Sequence, residues 1–195
     1  MKRITAIAIT LTSLFGLTAC FGEPVEDKTQ TNATPPLYSE YQHSDFSVIH
    51  PKDWEILSST DFTSNVPSST VIAFRNNLKN DIFTANFNIS QANISVGTTS
   101  EDFAIQTLNT EKYNLVGFTE LSREAYTLGD KLTGEKSFIT TFQGRKTITE
   151  NLVEFKQLCI ARTGYGIIVT AAYLPNEEQS VVMMLDEMLR SFSLK

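Results

Sequence analysis

The chain predicts an α+β fold, an antiparallel sheet covered by helices. Apolar and polar residues alternate at period two in short runs through most of the chain after residue 41. In the second half these runs are separated by short Gly-containing breaks, the spacing of hairpins. Two segments, about 100–114 and 176–191, repeat instead at helical period. The composition supports a packed core, with 41% of the 195 residues hydrophobic and 19% charged. Strands in most places and helices in two make a sheet with helices laid on it the economical layer architecture.

The first twenty residues stand apart. Lys2 and Arg3 precede an apolar run from Ile4 to Leu17, softened by Thr5, Thr10, Thr12, Ser13 and Gly16. It is shorter than the roughly 20 apolar residues of a membrane-spanning helix, and its basic start and small-residue end read as an export signal. Leu17-Thr18-Ala19-Cys20 then resembles the lipobox of bacterial lipoproteins. That resemblance implies a diacylglyceryl group on the Cys20 thiol, cleavage after Ala19, and acylation, typically with palmitate, of the new amino terminus. One acyl chain holds a protein to a bilayer only marginally, whereas several on one residue anchor it stably. Cleavage would remove Lys2 and Arg3 and no acid, taking the net charge from −6 to −8. An acidic body is not drawn to an anionic lipid surface, so the lipid does the holding. Phe21 follows Cys20 where an Asp commonly retains lipoproteins in the inner membrane. In a Gram-negative cell the outer membrane is then expected, with the domain in the periplasm.

Residues 21–37, FGEPVEDKTQTNATPPL, lack apolar periodicity and read as a flexible, partly extended linker. The expected organisation is a signal peptide over 1–19, a lipidated cysteine and tether over 20–40, and one domain over 41–195. In that domain Asp45-Phe46-Ser47-Val48-Ile49-His50 alternates as a strand, which Pro51-Lys52-Asp53-Trp54 breaks into a turn. Residues 69–74 form a short strand and 81–95 a long one, with Phe83, Phe87 and Ile89 inward. Thr99 supplies a hydroxyl cap and Glu101 and Asp102 an acidic first turn to a helix whose stripe is Ala104, Ile105 and Leu108. Residues 117–127 are extended, 128–130 turn, and 136–142 form a strand. Gln143-Gly144-Arg145 is read as a tight hairpin turn, 147–160 as the returning strand, 163–166 as a second hairpin turn and 167–173 as a further strand. The last helix starts at Pro175 and Asn176, with Asn176 as N-cap and Gln179 three residues on. Its stripe is Val181, Val182, Met184, Leu185, Met188, Leu189 and Phe192, opposite Glu177, Glu178, Asp186, Glu187 and Arg190.

The order Tyr41, Asp45-Phe46-Ser47-Val48, Pro51, Trp54, then a mid-chain helix, a hairpin meander and a closing Met188-Leu189-Arg190-Ser191-Phe192 resembles the PsbP-like fold. That fold includes the extrinsic photosystem II protein, Mog-type Ran-binding proteins and DcrB-like bacterial lipoproteins. The resemblance covers residues 41–195, and its best marks are F-S-[VI]-x-x-P-x-x-W and M-L-x-S-F, both structural. It implies a binding or assembly factor with no cofactor, and it carries no catalytic motif.

The residues themselves point the same way. A pI near 5.0 argues against nucleic acid. Two Cys rule out a disulfide scaffold, and two His make a multi-histidine catalytic metal site improbable. There is no Gly-x-Ser-x-Gly, P-loop, Gly-x-Gly-x-x-Gly, His-Glu-x-x-His or Cys-x-x-Cys. His43, Asp45, His50 and Asp53 are four possible ligands for Zn²⁺ or Cu²⁺ within eleven residues. Their plainer reading is a polar lead-in, a strand end and a turn cap. Trp54 reads as a core closure rather than a stacking platform, and Met184 and Met188 as packing rather than thioether ligands, with Met183 beside them. Cys159, alternating with Val153, Phe155 and Gln157, reads as a buried inert thiol. Asn88-Ile89-Ser90 and Asn93-Ile94-Ser95 match the glycosylation pattern by chance in a bacterial protein.

The function expected is that of a non-enzymatic, membrane-anchored accessory lipoprotein that binds another envelope component. The alternative is a ligand- or metal-binding module using residues 43–54. The anchor is directly testable. Mass spectrometry of the mature chain should find acyl groups on residue 20, and Cys20→Ala should leave the precursor unlipidated and uncleaved. An unmodified amino terminus at any other position would contradict the lipobox.

Overall fold

The structure is a computed structural model that describes residues 37–62 and 66–195. The signal segment, Cys20 and the tether as far as residue 36 lie outside the described residues. Two strands open the fold, β1 (Tyr38–Gln42) and β2 (Phe46–Pro51), followed by β3 (Glu55–Ser58), β4 (Thr70–Arg75) and β5 (Asn86–Asn93). A helix, α1 (Ser100–Asn114), leads into a four-strand meander: β6 (Val116–Leu128), β7 (Glu135–Arg145), β8 (Val153–Arg162) and β9 (Tyr165–Tyr173). The chain closes with α2 (Gln179–Ser191) and β10 (Ser193–Leu194). β1, β2 and β10 form a small sheet, and the other seven strands form a large one in the order β3-β4-β5-β9-β8-β7-β6. Every pairing is antiparallel. The fold is α+β, as the sequence predicts.

The large sheet has a different cover on each face. On one face Phe74, Phe87, Ile89, Leu158, Ile167 and Val169 join the α2 stripe of Val181, Leu185, Met188 and Leu189 in one apolar cluster. Phe46 and Val48 of the small sheet and Trp54 belong to the same cluster. On the other face α1 lies across β7 and β8 and splits its contacts between two smaller clusters. Leu108 meets Phe142 and Phe155, whereas Phe103 and Ala104 meet Cys159 and Ile168. The approach of α1 is close. A Cβ on Gly166 would lie 2.3 Å from the Phe103 ring, so glycine there is a packing requirement.

The two structural marks of the sequence touch each other. Phe46 and Phe192 pack with ring centroids 5.6 Å apart. Ser47 and Ser193 share a hydroxyl hydrogen bond of 2.9 Å, the Ile49 N–H donates to Ser191 Oγ at 3.0 Å, and the Lys195 N–H donates to the Asp45 carbonyl at 3.0 Å. The opening strand and the chain end therefore close one small sheet.

Several sequence expectations are corrected. Among the described residues the first strand opens at Tyr38, three residues ahead of Tyr41, and β1 pairs with β2 from Tyr38 opposite Pro51. β3, absent from the sequence reading, pairs with β4. Residues 81–85 are irregular, so alternation does not extend back from β5. Phe83 is buried on the α1 side while Phe87 and Ile89 face α2. Residues 143–145 are strand rather than turn. Gly144 is there because Leu115 Cβ lies 2.8 Å from where its own Cβ would be. The turn comes later, and β8 begins at Val153 rather than 147. Thr99 does cap α1, accepting from the Asp102 N–H, but Ile105 is 40% exposed and Phe103 takes the inward position. α2 begins at Gln179 with Glu178 at the cap position and no side-chain cap bond. Residues 174–177 form a turn first, closed by Glu177 N–H to Leu174 C=O, which keeps Asn176 from capping.

Leu185 is 1% exposed at the centre of the α2 face. Leu185→Ala should lower stability by about 2–5 kcal/mol, out of about 5–15 kcal/mol for a domain. A denaturant midpoint measures this, and an unchanged midpoint would mean that α2 is not held as core.

Candidate functional site

The 43–54 segment does not assemble a metal site. His43 Nδ1 lies 3.8 Å from an Asp45 carboxylate oxygen, and the His43 ring stacks on Phe46 at 4.5 Å. His50 sits near the other end of β2, four residues and about 13 Å from Phe46 by strand rise. It is buried, packed on Phe74, with Nδ1 2.9 Å from the Pro51 carbonyl. Asp53 is exposed in the following turn. Among the described residues no three His, Cys, Asp or Glu side chains come together. Trp54 is core, Met188 is core, Met184 is half-buried and Met183 is 56% exposed. Asn88 is half-buried within β5, and Asn93 is exposed at its end.

Cys159 is buried beneath α1, and burial pushes its thiol up to about 12. The thiol donates to Gln157 Oε1 at 3.7 Å, with the Thr107 hydroxyl nearby. A thiol held this far from the thiolate is inert at neutral pH.

An open cleft of about 500 Å³ lies at the start of α1. Gly97, Thr98, Glu135, Ala161, Arg162, Thr163 and Tyr165 line it. Two left-handed glycines shape its rim, Gly97 with φ 89° and Gly164 with φ 84° in the β8–β9 turn. Behind two of its lining residues, Glu135 and Ala161, lies Ser100, fully buried in the first turn of α1. The Ser100 hydroxyl donates to Glu135 Oε1 at 2.5 Å and accepts the Ala161 N–H at 2.7 Å. One side chain thus ties α1, β7 and β8 together and presents a carboxylate beside Arg162, which is in no ion pair among the described residues. Such a pair of opposite charges, with a tyrosine and threonines, offers contacts to a polar or zwitterionic group. No motif in the sequence announces this cleft, because its residues come from three separate segments.

On the opposite face Asp186 receives Lys156 and Arg190 Nε, and Arg190 also reaches Glu124 at 2.8 Å. Burial works to raise the Asp186 carboxyl, but the two cations outweigh it and hold it below the usual range. This network clamps α2 to β8 and β6.

No family model and no curated protein matches the chain. Solved structures match it in fold. A cyanobacterial PsbP (CyanoP) from Synechocystis is 12% identical, with a TM-score of 0.52, over 87% of this chain and 98% of its own. LpqN of Mycobacterium tuberculosis, involved in cell envelope biogenesis, is 16% identical with a TM-score of 0.52 over 82% and 91%. PA94 of Pseudomonas aeruginosa, of unknown function, is 15% identical with a TM-score of 0.52 over 79% and 94%. These likenesses establish a PsbP-like fold. Among the described residues no helix is long and apolar enough to cross a membrane.

Ser100→Ala removes the acceptor of the half-buried Ala161 N–H and the donor to Glu135. It should cost about 1–3 kcal/mol and loosen Glu135. Thermal melts and amide exchange at Ala161 check this, and exchange unchanged at Ala161 would contradict the tie through Ser100.

Proposed function

We propose that this chain is a non-enzymatic accessory lipoprotein of the bacterial envelope. Its lipid anchor at Cys20 suspends a PsbP-like domain that binds another envelope component. The observation that carries the reading is Leu17-Thr18-Ala19-Cys20 standing 18 residues before the first strand at Tyr38. That spacing gives the domain reach from the bilayer without spanning it. The fold likeness to a mycobacterial protein of cell envelope biogenesis supports the same setting. If the cell is Gram-negative, Phe21 after the anchor favours the outer membrane, with the domain in the periplasm.

The contact surface in this reading is the cleft at the start of α1, where Arg162 and Glu135 offer both charges. A photo-crosslinking residue at position 163 of the full chain, in its own membranes, should give a discrete adduct that Arg162→Glu abolishes. Position 79 is the control. It follows Arg75, which pairs with Asn86 at one end of β5, whereas Tyr165 at the cleft pairs with Asn93 at the other. No adduct at 163, or equal adducts at 163 and 79, would overturn the assignment of the surface. Retention in membranes of residues 21–195 exported behind an ordinary, cleaved signal peptide, without Cys20, would overturn the role of the anchor.

A further inference from the structure

The face of the sheet beneath α1 is divided by a polar seam. Strand register aligns Asn88 with Thr170, Thr170 with Gln157, and Gln157 with Thr140 across four strands. Thr170, Gln157 and Thr140 are buried, and Gln157 Nε2 donates to Thr170 Oγ1 at 3.2 Å. Apolar clusters lie to either side, one with Phe142 and Phe155 and one with Phe103, Cys159 and Ile168. From α1, Thr107 and Glu111 enter this interface one turn apart, both 0% exposed. The Thr107 hydroxyl and both Glu111 carboxyl oxygens have no hydrogen-bond partner.

We propose that α1 is a pH-released cover of this face, which stays closed while Glu111 is a neutral carboxylic acid and is loosened when that acid ionises. A buried carboxylate is tolerated only with a cation or several donors beside it, and neither faces Glu111. From β8 the ionisable group turned toward α1 is Cys159, which is neutral. The α1-facing residues of β7, Phe138, Thr140, Phe142 and Gly144, carry no charge, and Glu135 is held at the far end by Ser100. On β6, Arg123 is taken up by Glu120 at 2.9 Å and by the Phe138 ring. β9 turns Ile168, Thr170 and Ala172 to this side, and Lys112 on α1 is exposed. Arg145, at the end of β7, alternates away from Gly144. Burial alone therefore acts on Glu111, and it pushes the carboxyl up to about 8 from the ordinary 4.5.

The direction follows from the sign of the shift. The closed state holds the proton more tightly than the open one, so closure is fully supported below about pH 4.5 and loses support as pH rises to about 8. Within that window opening should rise by roughly tenfold per pH unit. The α2 face carries its own continuous cluster and, among the described residues, has no unpartnered buried acid in it, so the effect is local to α1.

The test is hydrogen exchange on the full mature chain in detergent micelles between pH 5.5 and 8.5, corrected for intrinsic rates. Opening at α1 amides should climb by about tenfold per unit up to pH 8 while α2 amides stay level. Glu111→Gln should flatten the α1 response, and Glu111→Met serves the same purpose if the amide does not fold. Flat α1 opening in the unsubstituted chain overturns the proposal by itself. So does an equal rise in α1 and α2, or an α1 response that survives both substitutions.

Discussion

The structure depends on the double burial of β9. From Gly166 to Tyr173 every residue of this strand is buried, and none carries a charge. Such a strand cannot sit at an edge or face water on either side. It is therefore flanked by β5 and β8 and needs cover above and below. α2 and the small sheet supply one cover, and α1 supplies the other. The residues of β9 match them. Ile167, Val169 and Ala171 meet the α2 side, while Gly166, which alone has room for the Phe103 ring, lets α1 come close.

A second constraint is how the two ends of the domain are held. A short opening strand and a two-residue closing strand are each too small to be stable alone. Joined through Ser47, Ser191, Ser193 and the Phe46–Phe192 contact, they fix the end of α2 over the core. This explains why the two strongest marks in the sequence lie some 140 residues apart yet are both short apolar–serine patterns. Each is half of one joint.

What the sequence revealed follows from how far local pattern and tertiary role agree. β8, β9 and the α2 stripe were legible because their alternation is set by burial on known faces. β3 was not, because Glu55-Ile56-Leu57-Ser58 is a short edge strand with Ile56 43% exposed. Gly144 read as a turn because Gln-Gly-Arg has turn chemistry. Only the approach of Leu115 shows that its glycine serves packing. The metal reading of residues 43–54 failed for a geometric reason, since His43 lies in the turn before β2 and His50 near the far end of that strand. The cleft and the seam were invisible. Thr107 and Glu111 at i, i+4 look like a solvated helix face, and nothing local says that this face points inward.

The two faces of the sheet are consequently unequal. The α2 face is one unbroken apolar cluster braced by the Lys156–Asp186–Arg190–Glu124 network. The α1 face is two smaller clusters parted by threonines, a glutamine and an unpartnered acid. Apolar area buried sets most of the free energy of docking an element, and each unsatisfied polar atom subtracts from it. α1 must therefore open at lower cost than α2, as expected when stability is distributed in cooperative units of unequal strength. The cleft lies at the start of that same helix, tied to it through Ser100. Any change in how firmly α1 is seated is thus felt first at Glu135 and Ala161, so the less stable cover of the sheet and the polar cleft at its start are mechanically one unit.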